Sequence, residues 1–67
     1  MIGHNDISSL IRCALHALGV VHLDAKIGSQ IYDYAAAWNG GNDLTRAEGY
    51  SARCARIIRG RIEESKP

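Results

Sequence analysis

A chain of 67 residues with 46% hydrophobic content, one proline and a formal net charge of +1 is too short for several domains and too apolar for a disordered tail. Its charge balance gives no general attraction to nucleic acid or to an anionic membrane surface, and no run approaches the roughly 20 apolar residues of a membrane span. A core of this length supplies only about 3–5 kcal/mol without a staple, so self-association as a homodimer is expected.

The apolar mass is mostly Ala, Ile and Leu, with no Phe, and its spacing is helical. Residues 1–5 read as a frayed lead-in, with Asn5 or Asp6 capping a first helix over 6–18. Ile7, Leu10, Ile11, Ala14, Leu15 and Leu18 recur at the three- and four-residue steps of one helix face, and Ser8, Ser9, Arg12 and His16 make the wet side. Gly19 suits the left-handed residue just past a helix end. Val20-Val21-His22-Leu23 reads as an apolar connector covering one end of the core, since nothing elsewhere offers a pairing strand. Asp24 caps a second helix over 24–38, in which Ile27, Ile31, Tyr34, Ala35 and Trp38 share a face and Gly28 is a weak point. Asn39-Gly40-Gly41-Asn42 is a strong turn signal.

The third helix, over 44–63, is the longest periodic segment. Thr45-Arg46-Ala47-Glu48 fits a capping box, with Asp43 as a competing cap, and Pro67 ends the chain. At about 100° per residue, Ala47, Tyr50, Cys54, Ile57, Ile58 and Ile62 fall within an arc of about 140°. Arg46, Arg53, Arg56 and Arg59 fall outside it, with Gly49 and Gly60 among them. Each interior glycine costs about 1 kcal/mol against Ala, so both weaken the helix locally or admit close approach of a partner backbone. Arg61 enters the apolar arc, its stem packed and its head in water. Tyr32 lies off the main arc of the second helix and Tyr50 at the edge of the third, where exposed rings suit an interface.

The fold class expected is therefore all-α: one small domain of three helices joined by short loops, with self-association as the oligomeric habit. Residues 1–42 carry a net charge of −1 and residues 43–67 a net of +2, a small asymmetry toward the third helix. Cys13 and Cys54 form no CxxC pair and read as small hydrophobes in a reducing compartment. Residues 1–9 hold no basic residue and no signal-peptide pattern, so a cytoplasmic location is expected.

Chemistry finds little purchase. Cys13-x-x-His16, with His4, His22 and Cys54 elsewhere, is one imperfect pair where zinc needs four ligands, so no metal and no cofactor is expected. A Cys–His nucleophile would need an oriented base and an oxyanion hole, and no glycine-rich loop follows a strand, so the chain reads as a non-enzyme. Asp6, Asp24 and Asp43 are explained as helix caps, and Glu63-Glu64 as a fraying tail.

Two functions of different class follow. The first is a non-catalytic protein-binding module, an inhibitor or adaptor using Arg46, Arg53, Arg56, Arg59 and Tyr32, since arginine and tyrosine surfaces host interface hot spots. Chains of this size commonly serve phages or mobile elements against a host system, anti-CRISPR-type proteins among them; that step rests on size and on no residue. The second is a small DNA- or RNA-binding regulator whose third helix tracks phosphates with its arginines. Asp43 and Glu48 stand against it, at the helix end where a recognition helix meets base edges.

Overall fold

Three caps and three apolar faces produce three helices. The computed structural model describes residues 2–66, and these form α1 (His4–Ala17), α2 (Ala25–Ala36) and α3 (Leu44–Glu64), with no strand among the described residues. Met1 of the lead-in and the terminal Pro67 lie outside them.

The caps correct several details of the sequence reading. Helix α1 begins two residues before Asp6, with Gly3 as its extended N-cap residue. Asp6 sits inside the first turn, and its carboxylate accepts from the Gly3 N–H at 3.2 Å. The lead-in is also tied down. The Ile2 N–H donates to Asn42 Oδ1 at 3.3 Å, and Ile2 packs against the core. At the other end Gly19 adopts φ +88, which lets its N–H reach the His16 carbonyl and the Val20 N–H reach Leu15, both at 3.0 Å. Those two bonds close the helix in a Schellman arrangement that a side chain at this φ would strain.

Asp24 caps α2 by accepting from the Ile27 N–H at 2.9 Å. The helix stops at Ala36, two residues short of Trp38, whose side chain turns back over the following loop. For α3 the cap is Asp43, which accepts from the Arg46 N–H at 3.2 Å. A Thr45–Glu48 box does not form, because Thr45 already lies within the helix.

The core is one cluster: Ile7, Ile11 and Leu15 from α1, Ile31 and Ala35 from α2, and Ala47, Cys54, Ala55 and Ile58 from α3. On α3 the buried arc is about 100° wide and rotated by about 40° from the expected one. Ser51 and Ala55 therefore enter the interior, while Ile57 is 42% exposed. The buried Ser51 hydroxyl is satisfied by donating to the Glu48 carbonyl at 2.9 Å. The connector after α1 is only partly a cover: Val20 packs on the core, but Val21 is 73% and Leu23 43% exposed. Cys13 is exposed and Cys54 buried, so only the second behaves as a core hydrophobe, and both are free.

Helices α1 and α3 run in the same direction: Ile2 meets Asn42 at one end, and Leu18–His22 lie against Ile62–Lys66 at the other. Helix α2 returns between these ends, with Asp24 and Ile27 near Arg61 and Ser65. The seam of α1 with α3 is the most extensive and that of α2 with α3 the least. Twenty-one residues give α3 a length of about 31 Å, along most of a molecule 40 Å long. Its outward side thus runs along most of the length of the molecule.

Candidate functional site: the arginine face of α3

Helical rotation separates the four arginines expected to act together. Arg46, Arg53 and Arg56 fall within about 80° of one another on the side turned from the core, and all three are exposed. Gly49, Ile57 and Gly60 share that stripe. Arg59 lies about 60° beyond Arg56, on the flank facing the α1–α2 connector. There it is half-buried and paired with Glu63 at 3.2 Å, one helical turn on.

That pair is the one ion pair among the described residues. Arg46, Arg53 and Arg56 have no carboxylate within ion-pair distance there, and the nearby Asp43 is engaged in capping. Their guanidinium groups therefore keep their donors for water or for a partner.

At its N-terminal end the stripe borders a cleft of about 410 Å³. Arg46, Gly49, Tyr50 and Arg53 form one side and Trp38, Asn39 and Gly40 the other. The loop wall exists because of Gly40. A Cβ there would stand 2.0 Å from the Trp38 ring, so the indole can lie on the backbone only where a side chain is missing. Tyr50 supports the ring from α3, with centroids 5.0 Å apart and planes tilted by 54°. The Tyr50 hydroxyl in turn donates to the Tyr34 carbonyl of α2. Burial disfavours the phenolate and pushes the Tyr50 hydroxyl up to about 12, with neighbouring Cys54 adding to the effect. Burial likewise raises the Cys54 thiol. The Trp38 indole N–H is buried without a hydrogen-bond partner.

Tyr50 is thus half-buried and structural. Tyr32 is 54% exposed, but its neighbour is His4 of α1, met edge-on at 5.0 Å, so it belongs to the α1–α2 seam and not to the arginine stripe. Arg61 is exposed and places its guanidinium 5.9 Å from the Tyr34 ring centre, at the outer limit of a cation–π contact. No three His, Cys, Asp or Glu side chains converge on a common point among the described residues, and Cys13-x-x-His16 gains no further ligand.

The Trp38 wall is the part that sequence reasoning missed. Its signal was present: a tryptophan two residues before a glycine at the end of a helix face. Periodicity assigned that tryptophan to the helix and the glycine to a turn. No helix among the described residues is long and apolar enough to cross a membrane. No protein-family model, curated protein or solved structure matches the chain.

Proposed function

We propose that the chain is a non-catalytic protein-binding module, an inhibitor or adaptor, that engages its partner through the outward face of α3. The observation that supports this reading is the set Arg46, Arg53 and Arg56, three guanidinium groups on one side of the longest helix with no carboxylate partner among the described residues. Arginine keeps less hydration than lysine and bonds in a planar fork, which makes it effective when a partner removes water from it. A phage-accessory, anti-CRISPR-type inhibitor is one setting for such a module, suggested by size alone.

A DNA- or RNA-binding regulator is the second reading, because the same arginines suit phosphates. Two features favour protein. The net charge of +1 lacks the strongly basic balance of nucleic-acid binders. The Trp38 ring is also already packed on Gly40 and Tyr50, and is not free to stack on a base.

Affinity capture from lysate, with and without nuclease, separates the two. The protein-binding reading expects a protein retained after nuclease and lost with Arg53→Ala. Loss of all captured material on nuclease treatment would replace it with the regulator. A homodimer is proposed separately, through the exposed Val21, Leu23 or Tyr32 and not the arginine stripe, where two copies would face like charges. Light scattering at tens of micromolar tests it, and a monomer mass removes it.

A further inference from the structure

We infer that the outward stripe of α3, from Arg46 to Gly60, is a docking track for an acidic amphipathic helix of a partner protein. This rests on the protein-binding reading and specifies the chemistry of the partner.

The glycines are the first observation. Gly49 and Gly60 lie within α3, and a Cβ built on either meets nothing within 4 Å. Neither backbone has a positive φ. The chain's own packing and conformation therefore require neither glycine, although each costs about 1 kcal/mol against Ala in a helix interior. Gly40 and Gly19 show what an internal requirement looks like: a ring on the backbone in one case, a left-handed φ in the other. Gly49 and Gly60 are eleven residues apart, about three turns, so they open notches on one side about 16 Å from each other. A second helix reaches an interaxial distance of about 8–10 Å most easily where side chains are missing.

The second observation is what lies between the notches. Ile57 is 42% exposed there, with Arg53 and Arg56 beside it on one side of the helix. An aliphatic side chain bordered by unpaired guanidinium groups matches a helix with an apolar seam and carboxylates beside it. A phosphate backbone has no use for Ile57. A second copy of α3 would bring Arg46, Arg53 and Arg56 against their own kind. Charge therefore selects an acidic partner over both. Carboxylates at the spacing of Arg46, Arg53 and Arg56 would bond the arginine forks, while the seam covers Ile57 and the partner backbone approaches Gly49 and Gly60.

The test is selection from a display library of helical peptides long enough to span the track, with all outward positions randomised, on the immobilised full chain. Binding of oligo-dT and of duplex DNA is measured in parallel. The enriched peptides are expected to carry Asp or Glu at helical spacing beside an apolar seam. Arg53→Ala or Arg56→Ala is expected to weaken them by about tenfold or more. Gly60→Leu is expected to abolish binding while the circular-dichroism melt of the chain moves to no lower temperature. Gly49→Leu serves as the second blocking variant should Gly60→Leu fold poorly. Enrichment without acidic bias, or binding indifferent to all four substitutions, overturns the proposal. So does failure to enrich any peptide, and oligo-dT binding in that case transfers the stripe to phosphates. Nuclease-resistant capture that depends on Arg53, combined with non-acidic peptides, would remove the acidic helix and leave the protein-binding reading intact.

Discussion

The two seams that α3 makes with its neighbours are built from different materials. Toward α1 the contact is aliphatic and closed: Ile7, Ile11 and Leu15 share a cluster with Ala47, Cys54, Ala55 and Ile58, every one at 3% exposure or less. The small Ala47 and Ala55 allow α1 to approach, and the branched side chains fill the space. Toward α2, beside the buried Ile31 and Ala35, the contact is aromatic and half-open. Tyr34, Trp38 and Tyr50 are each partly buried, and each carries a polar feature: an accepting carbonyl, an unpartnered N–H, a donating hydroxyl. Apolar burial without polar penalty makes the first seam the source of stability. The second seam gives up some burial for a shaped edge, and that edge forms the wall of the cleft beside Arg46 and Arg53.

The sharpest way to break this contrast is to truncate the aliphatic seam. Ile58 is fully buried, and Ile58→Ala is expected to cost about 2–5 kcal/mol. Because a core of this size yields only about 3–5 kcal/mol in all, the variant should be largely unfolded in water by circular dichroism. A variant that melts like the parent would show that the aliphatic seam is not what holds the chain.

On the aromatic seam, Gly40→Ala forces the Trp38 ring off the backbone or shifts the loop. The expected loss is about 1–3 kcal/mol in urea unfolding, together with a changed emission from the single tryptophan. Unchanged emission would mean that the ring does not lie where the cleft needs it.

Tyr50→Phe should cost about 0.5–1.5 kcal/mol at neutral pH by removing the bond to the Tyr34 carbonyl. Its pH signature is more specific. The Tyr50 hydroxyl is raised from 10.0 to about 12, so the folded chain holds this proton more tightly than the unfolded chain does. The associated stability is full below pH 10.0 and is lost as pH rises from there through about 12. The Cys54 thiol is raised from 9.0 and acts with the same sign from a lower pH. Unfolding midpoints measured across this range should fall steeply for the parent and less steeply for Tyr50→Phe. An identical slope would remove Tyr50 from the alkaline response.

The smallest effect belongs to the exposed ion pair. Arg59→Ala should change stability by no more than about 0.5 kcal/mol, because water screens the pair with Glu63. It should also leave partner capture unchanged, since Arg59 lies off the stripe. Loss of capture would return Arg59 to the site and widen it toward the α1–α2 connector.

Much of the fold was legible because its signals are local. The unbroken spacing from Ile7 to Leu18 marks α1, Gly19 marks its end, Asp24 caps α2, and Asn39-Gly40-Gly41-Asn42 separates α2 from α3. The Thr45 box misled because two acceptors competed within three residues, and the earlier one, Asp43, starts the helix sooner. Tyr50 misled for a different reason. At the edge of an arc a ring can turn inward or outward, and only the Tyr34 carbonyl and the Trp38 ring decide which.

The sequence by itself determined three helices, their approximate ends and a positively charged side to the third, because caps, turns and hydrophobic periodicity act within a few residues along the chain. Tertiary structure decided how α3 is rotated against α1. A turn of about 40° exchanges Ile57 for Ser51 and Ala55, and it brings Arg59 to the edge of the buried arc, beside the α1–α2 connector. Periodicity limits a helix to a range of rotations, and only the shapes of the neighbouring helices select one of them.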